Sequence, residues 1–139
     1  MLNWKAIVIG AAVDFIGTEI ASYLLVFLWA AALKLQGVAD GDLPQVIGHS
    51  ALFHAVAVTV GWYFDFLGGH FAGRVAKQHG WQHGLAAATP GVILAVFETA
   101  QQPDPMFPAW FMAACCAVSL ICGCYGSARA VQGLQSEAS

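Results

Sequence analysis

Residues 6–33 read AIVIGAAVDFIGTEIASYLLVFLWAAAL, and Asp14 and Glu19 are the only charged residues among them. About 20 predominantly apolar residues in a helix cross the hydrocarbon core of a bilayer, and this run is longer. It is also well beyond the apolar core of about 7–15 residues in a cleaved secretory signal. The run therefore predicts a retained transmembrane helix that doubles as an insertion signal. Three more apolar runs follow, at 45–73, 82–100 and 108–128. Together the four runs predict an all-α integral membrane protein. It forms one domain, residues 1–139, built as a bundle of four transmembrane helices.

Composition points the same way. Apolar residues make up 59% of the chain and charged residues 9%, against about 25% charged in a soluble domain. So few charges cannot cover a water-facing surface, and the lipid bilayer is the expected surrounding of most of the chain. Five Lys and Arg and a net charge of −3 leave no basic footprint for nucleic acid. No nucleophile elbow, phosphate loop or metalloprotease box is present, so no enzymatic activity is expected. Neither end carries a lipidation motif.

The linkers are short. Gln36–Pro44 holds Asp40, Gly41, Asp42 and Pro44, all turn formers, and Asp42 with Gln45 has the spacing of a capping box for the second helix. Arg74–Trp81 joins the second and third helices, and Pro103, Asp104 and Pro105 end the third. Pro90 is expected to kink the third helix. Short links make consecutive helices antiparallel neighbours. Lys5, Arg74, Lys77 and Arg129 then fall on one side of the membrane and only Lys34 on the other. The positive-inside rule puts both termini in the cytoplasm, which in a bacterium makes this an inner (plasma) membrane protein. Trp4, Trp81 and Tyr125 near one boundary and Trp29 and Trp110 near the other form the expected aromatic belts. No internal repeat stands out.

Acids within spans are rare because each costs about 2.5–3.5 kcal/mol on insertion scales. Asp14, Glu19 and Asp65 lie inside the first two runs and Glu98 near the outer end of the third, with no Lys or Arg at comparable depth. Asp14 follows Lys5 by nine residues and Asp65 precedes Arg74 by nine, which sets both about 13 Å from the inner boundary. Each sits among small residues. Gly10, Gly17 and Thr18 flank Asp14, while Gly61, Gly69 and Gly73 recur with Asp65 at four-residue steps. Small residues let helix backbones approach closely. The first two helices are thus expected to pack through these stripes and bring Asp14 and Asp65 together, where the two carboxyls would share a proton. The pair suits a proton relay, a cation site or a contact with a basic partner. Glu19 is expected on another face of the helix, within reach of Ser22 and Tyr23. Glu98 is expected to be solvated.

His54 precedes Asp65 by eleven residues, on the same helix face, and could extend a polar path outward. His79 and His83 have the i, i+4 spacing of metal ligands, and His70 could join them, but two or three His do not complete a site. Cys115, Cys116, Cys122 and Cys124 lie too close on one helix to bridge one another. Cys115, Ser119, Cys122 and Gly126 share a small-residue face, which helix packing explains. No metal or cofactor is expected.

Two resemblances rest on particular residues. Gly68-Gly69-His70-Phe71-Ala72-Gly73-Arg74, with Asn3-Trp4-Lys5, Gly10 and Asp14 before it and His83-Gly84 after it, resembles a loose group of small four-helix bacterial membrane proteins. These carry a Gly-Gly-x-x-Ala-Gly-Arg turn between their second and third helices. That resemblance implies a fold and a bacterial source, and no activity. Asp14-Phe15-Ile16-Gly17-Thr18 is similar to the segment around the membrane-embedded acid of the small multidrug resistance exporters. It implies a proton-coupling role for Asp14. Here the acid is Asp rather than Glu, and the later helix patterns of those exporters are absent.

Taken together, the residues favour a small non-catalytic protein. It would be an accessory or structural subunit with a protein partner in the membrane, or a self-associating oligomer, held by glycine-rich helix faces. The alternatives are a small proton-coupled transporter using Asp14, Asp65 and Glu19, and a haem or pigment binder through His54, His70 or His83.

Overall fold

A computed structural model describes residues 2–78, 80–101 and 107–137. Every element among them is helical: α1 (Trp4–Leu35), a 3-10 turn (Asp40–Asp42), α2 (Leu43–Gly48), α3 (Ala51–Ala76), α4 (Gly80–Gln101) and α5 (Ala109–Glu137). α1, α3, α4 and α5 are each long and apolar enough to cross a membrane. The chain is a multi-pass membrane protein.

Asn3 starts α1, its side chain accepting from the Lys5 and Ala6 amides, as a helix N-cap should. The expected second helix, 45–73, is broken in two. Ser50 is extended and accepts from the Phe53 amide at 3.2 Å, so a fresh N-cap interrupts the apolar run. The His54 ring bonds the Gly48 carbonyl across this elbow at 2.9 Å. The capping box expected at Asp42 and Gln45 does not form. Asp42 is already in the right-handed helical region, and its side chain makes no cap bond. α3 ends at Lys77, which takes a left-handed φ of 60° and donates its N–H to the Gly73 carbonyl. α5 passes its expected end at Ala128 because Ala130 and Val131 are still buried, Val131 against Gly80. The Pro103–Pro105 turn lies outside the described residues.

α1 packs on α3 and α4, and α5 packs on α3 and α4. Contacts between α3 and α5 climb both chains together: Trp62 Nε1 donates to the Cys115 carbonyl, Ser119 meets Asp65, Gly69 meets Gly123 and Gly73 meets Ser127. Contacts between α1 and α3 run in opposite senses, with Gly10 on Gly68 and Gly17 on Phe64.

The bundle is closed at one end and open at the other. On α1 nothing beyond Asp14 is buried, and on α3 nothing before Asp65. On α4 nothing after Ala88 is buried, and on α5 nothing before Gly123. The closed end carries Lys5, Arg74, Lys77 and Arg129. Its buried residues are mostly Gly, Ala and Ser, which let the backbones touch. Towards the other end bulky side chains such as Phe15, Leu24, Phe27, Leu94 and Phe97 are exposed, and no residue of the four long helices is buried there.

Candidate functional site: two carboxyls at the floor of a groove

Asp14 and Asp65 sit where the closed half ends and the open half begins. Each side chain belongs to a residue 8% exposed, and the two carboxyls lie within hydrogen-bonding reach of each other. Such a bond needs a proton on one of them. The Ser119 hydroxyl donates to Asp65 Oδ2 at 2.6 Å, and the Thr18 hydroxyl donates to Asp14 Oδ1 at 3.4 Å. Three helices thus hold the pair: α1 brings Asp14 and Thr18, α3 brings Asp65 and α5 brings Ser119.

The two helices meet here because glycine removes the obstacle. A Cβ on Gly10 would lie 2.6 Å from the Gly68 carbonyl oxygen, and one on Gly68 would lie 2.8 Å from Asp14 Cβ. The glycine that faces α1 is therefore Gly68. Gly69 and Gly73, expected on α1, instead abut Gly123 and Ser127 of α5. The cause is helical drift. A four-residue step overshoots a full turn by about 40°, so a stripe from Gly61 to Gly73 winds off α1 and onto α5. Gly61 has no heavy atom within 4 Å of its missing Cβ and lines the groove. Gly17 is covered by the Phe64 ring.

Above the pair a groove of about 600 Å3 opens between α1 and α4. Its walls are Ala11, Ala12 and Phe15 on one side and Ala87, Pro90, Leu94 and Ala95 on the other. Glu19 and Glu98 also line it. Glu19 therefore shares the groove with Asp14 instead of facing away. It stands about 7 Å further along α1 by helical rise. A further cleft of about 500 Å3, lined by Leu94, Phe97, Glu98, Thr99 and Gln101, continues towards the end of α4. The α4 backbone passes beside the pair at Gly91, where a Cβ would lie in ordinary contact, 3.7 Å from Asp14 Oδ2.

The histidines are elsewhere. His54 is not among the groove-lining residues. It closes the α2–α3 elbow and packs edge-on against Phe53 and Phe107, so it does not extend the polar path. His83 is fully buried at the closed end, where its Nε2 accepts from the Asn3 amide at 2.9 Å. His70 lies beside Phe66 with a buried Nδ1 lacking a hydrogen-bond partner. His79 lies outside the described residues. Among the described residues no three His, Cys, Asp or Glu cluster as metal ligands.

Sequence reasoning assigned Ser119 to packing and missed its bond to Asp65. The pairing follows one register that only the packing of α3 on α5 sets. Asp65 to Ser119, Gly69 to Gly123 and Gly73 to Ser127 are each 54 residues apart. The join of Asn3 to His83 had no local signal. No known protein family, curated protein or solved structure matches this chain. The resemblances drawn above stand on their residues alone.

Proposed function

We propose that this protein is a small proton-linked carrier of monovalent cations in a bacterial plasma membrane. Its four spans alternate in direction, the basic closed end and both termini lie in the cytoplasm, and the groove faces outward. The observation that carries this reading is the Asp14–Asp65 pair at the floor of an open groove that no Lys or Arg lines. With no internal cation, the negative charge of the pair is balanced by a proton or by a solute. A cation entering the groove would displace the shared proton, and a returning proton would release the cation. Apolar walls at Phe15, Leu94 and Ala95 suit an organic cation with an apolar body.

The subunit reading is weaker. The glycines that would dock a partner are used within the chain: Gly10 on α3, and Gly69 and Gly73 on α5. The test is proteoliposomes holding a pH-sensitive dye under an imposed pH gradient, with benzylammonium and potassium as first probes. Addition of benzylammonium should drive proton movement, and Asp14→Asn and Asp65→Asn should each abolish it while the protein still runs as a folded species in detergent. Undiminished exchange by Asp14→Asn would remove the pair from the mechanism. A tightly co-purifying membrane protein and no exchange with either probe would return the subunit reading.

A further inference from the structure

α4 is two unlike pieces joined at Pro90. Below it Gly80, His83, Gly84, Ala87 and Ala88 are buried against the other helices. Above it no residue through Gln101 is buried. This upper arm stands between two voids. On its α1 side is the carboxylate groove of about 600 Å3, and on its α5 side is an apolar cleft of about 690 Å3 floored by Met112, Ala113 and Cys116. Ala95 borders both. The Thr99 hydroxyl bonds the Ala95 carbonyl within the arm itself and so does not tie the arm to a neighbour. Proline cannot donate to the carbonyl four residues back, which weakens the helix there.

We infer that the arm of α4 from Gly91 to Gln101 is a gate that swings about Pro90 onto α1 and shuts the groove over Asp14 and Asp65. The voids on both sides leave room for the movement, and the tightly packed lower piece gives it a fixed base. The arm is about 16 Å long, so a change of about 25° at the hinge carries its tip about 7 Å. That closes the Leu94 wall on the Phe15 wall and widens the apolar cleft behind it. The occluding role rests on the carrier reading; the hinge does not.

The experiment uses full-length protein with all four native cysteines replaced by alanine and cysteines placed at Phe15 and Leu94, on opposite walls. Oxidation should form a disulfide between them without any added cation. Pro90→Ala should slow its formation at least tenfold, and Ala117→Phe, which fills the cleft behind the arm, should speed it. Equal crosslinking with and without Pro90 overturns the gate, provided both proteins elute as the same folded species. A second protein keeps only Cys116, and benzylammonium should raise its rate of alkylation by a membrane-permeant maleimide as the arm leaves α5. Hinge-dependent crosslinking with no response of Cys116 to benzylammonium would uphold the gate and sink the carrier reading.

Discussion

Substitution of Gly69 by alanine puts one methyl group where α3 and α5 touch. Its carbon would lie 2.7 Å from the Gly123 carbonyl carbon and closer still to the oxygen. Ordinary contact between such atoms begins at about 3.5 Å, so the two helices have to part by about 1 Å. Backbone cannot turn aside as a side chain can, and Gly84 of α4 presses on the same Gly123 carbonyl from another direction. Overpacking of this kind costs about 1–3 kcal/mol, which is roughly a 5- to 150-fold shift of the unfolding equilibrium. The matched control is Gly61→Ala, where the new methyl meets nothing within 4 Å. There alanine is the better helix former by about 1 kcal/mol, and the protein should become more stable. Reversible unfolding by SDS in mixed micelles, followed by helical circular dichroism, measures both. The two substitutions should move stability in opposite directions. A common sign would mean that Gly61 and Gly69 share one face, and the α3–α5 packing would be wrong.

Other substitutions probe the site and its frame. Ser119→Ala removes the 2.6 Å bond to Asp65; hydrogen bonds to charged groups contribute about 1.5–3 kcal/mol, so the apparent affinity for benzylammonium should fall at least tenfold, and Ser119→Thr should restore most of it. His54→Phe keeps the ring against Phe107 and loses the bond to the Gly48 carbonyl. Proteolysis near residues 48–50 should quicken while cation exchange is unchanged, and a loss of exchange would put His54 back on the polar path. Lys77→Gly relieves a left-handed φ of 60°, a conformation that costs an L-residue about 1–2 kcal/mol, and should raise stability in the same SDS titration.

The membrane-spanning runs were legible because lipid imposes a length and a composition on any helix that crosses it. Their ends were less so. The break at Ser50 turns on one hydroxyl finding the Phe53 amide, a local bond that hydropathy does not register. The tail of α5 is helical because Val131 finds Gly80, a contact far apart in sequence. Asp14 and Asp65 stood out by cost, since a buried acid in an apolar run is conspicuous in one dimension. Their surroundings did not. Ser119 and Gly68 are ordinary residues until neighbouring helices fix which way they point. The error over Gly69 has the same root, because a four-residue stripe on paper is straight and on a helix it winds.

The node where Gly69, Gly84 and Gly123 meet has a mechanical consequence. Backbone rests on backbone there without interlocking side chains, so the surfaces resemble a plain bearing more than a gear. Gly84 stands four residues from the start of α4 and six from Pro90. Treated as a lever resting on that bearing, the piece of α4 below the hinge has arms of about 6 and 9 Å. A slip of about 1 Å at the basic end would then shift Pro90 by about 1.5 Å, so a disturbance there reaches the root of the upper arm.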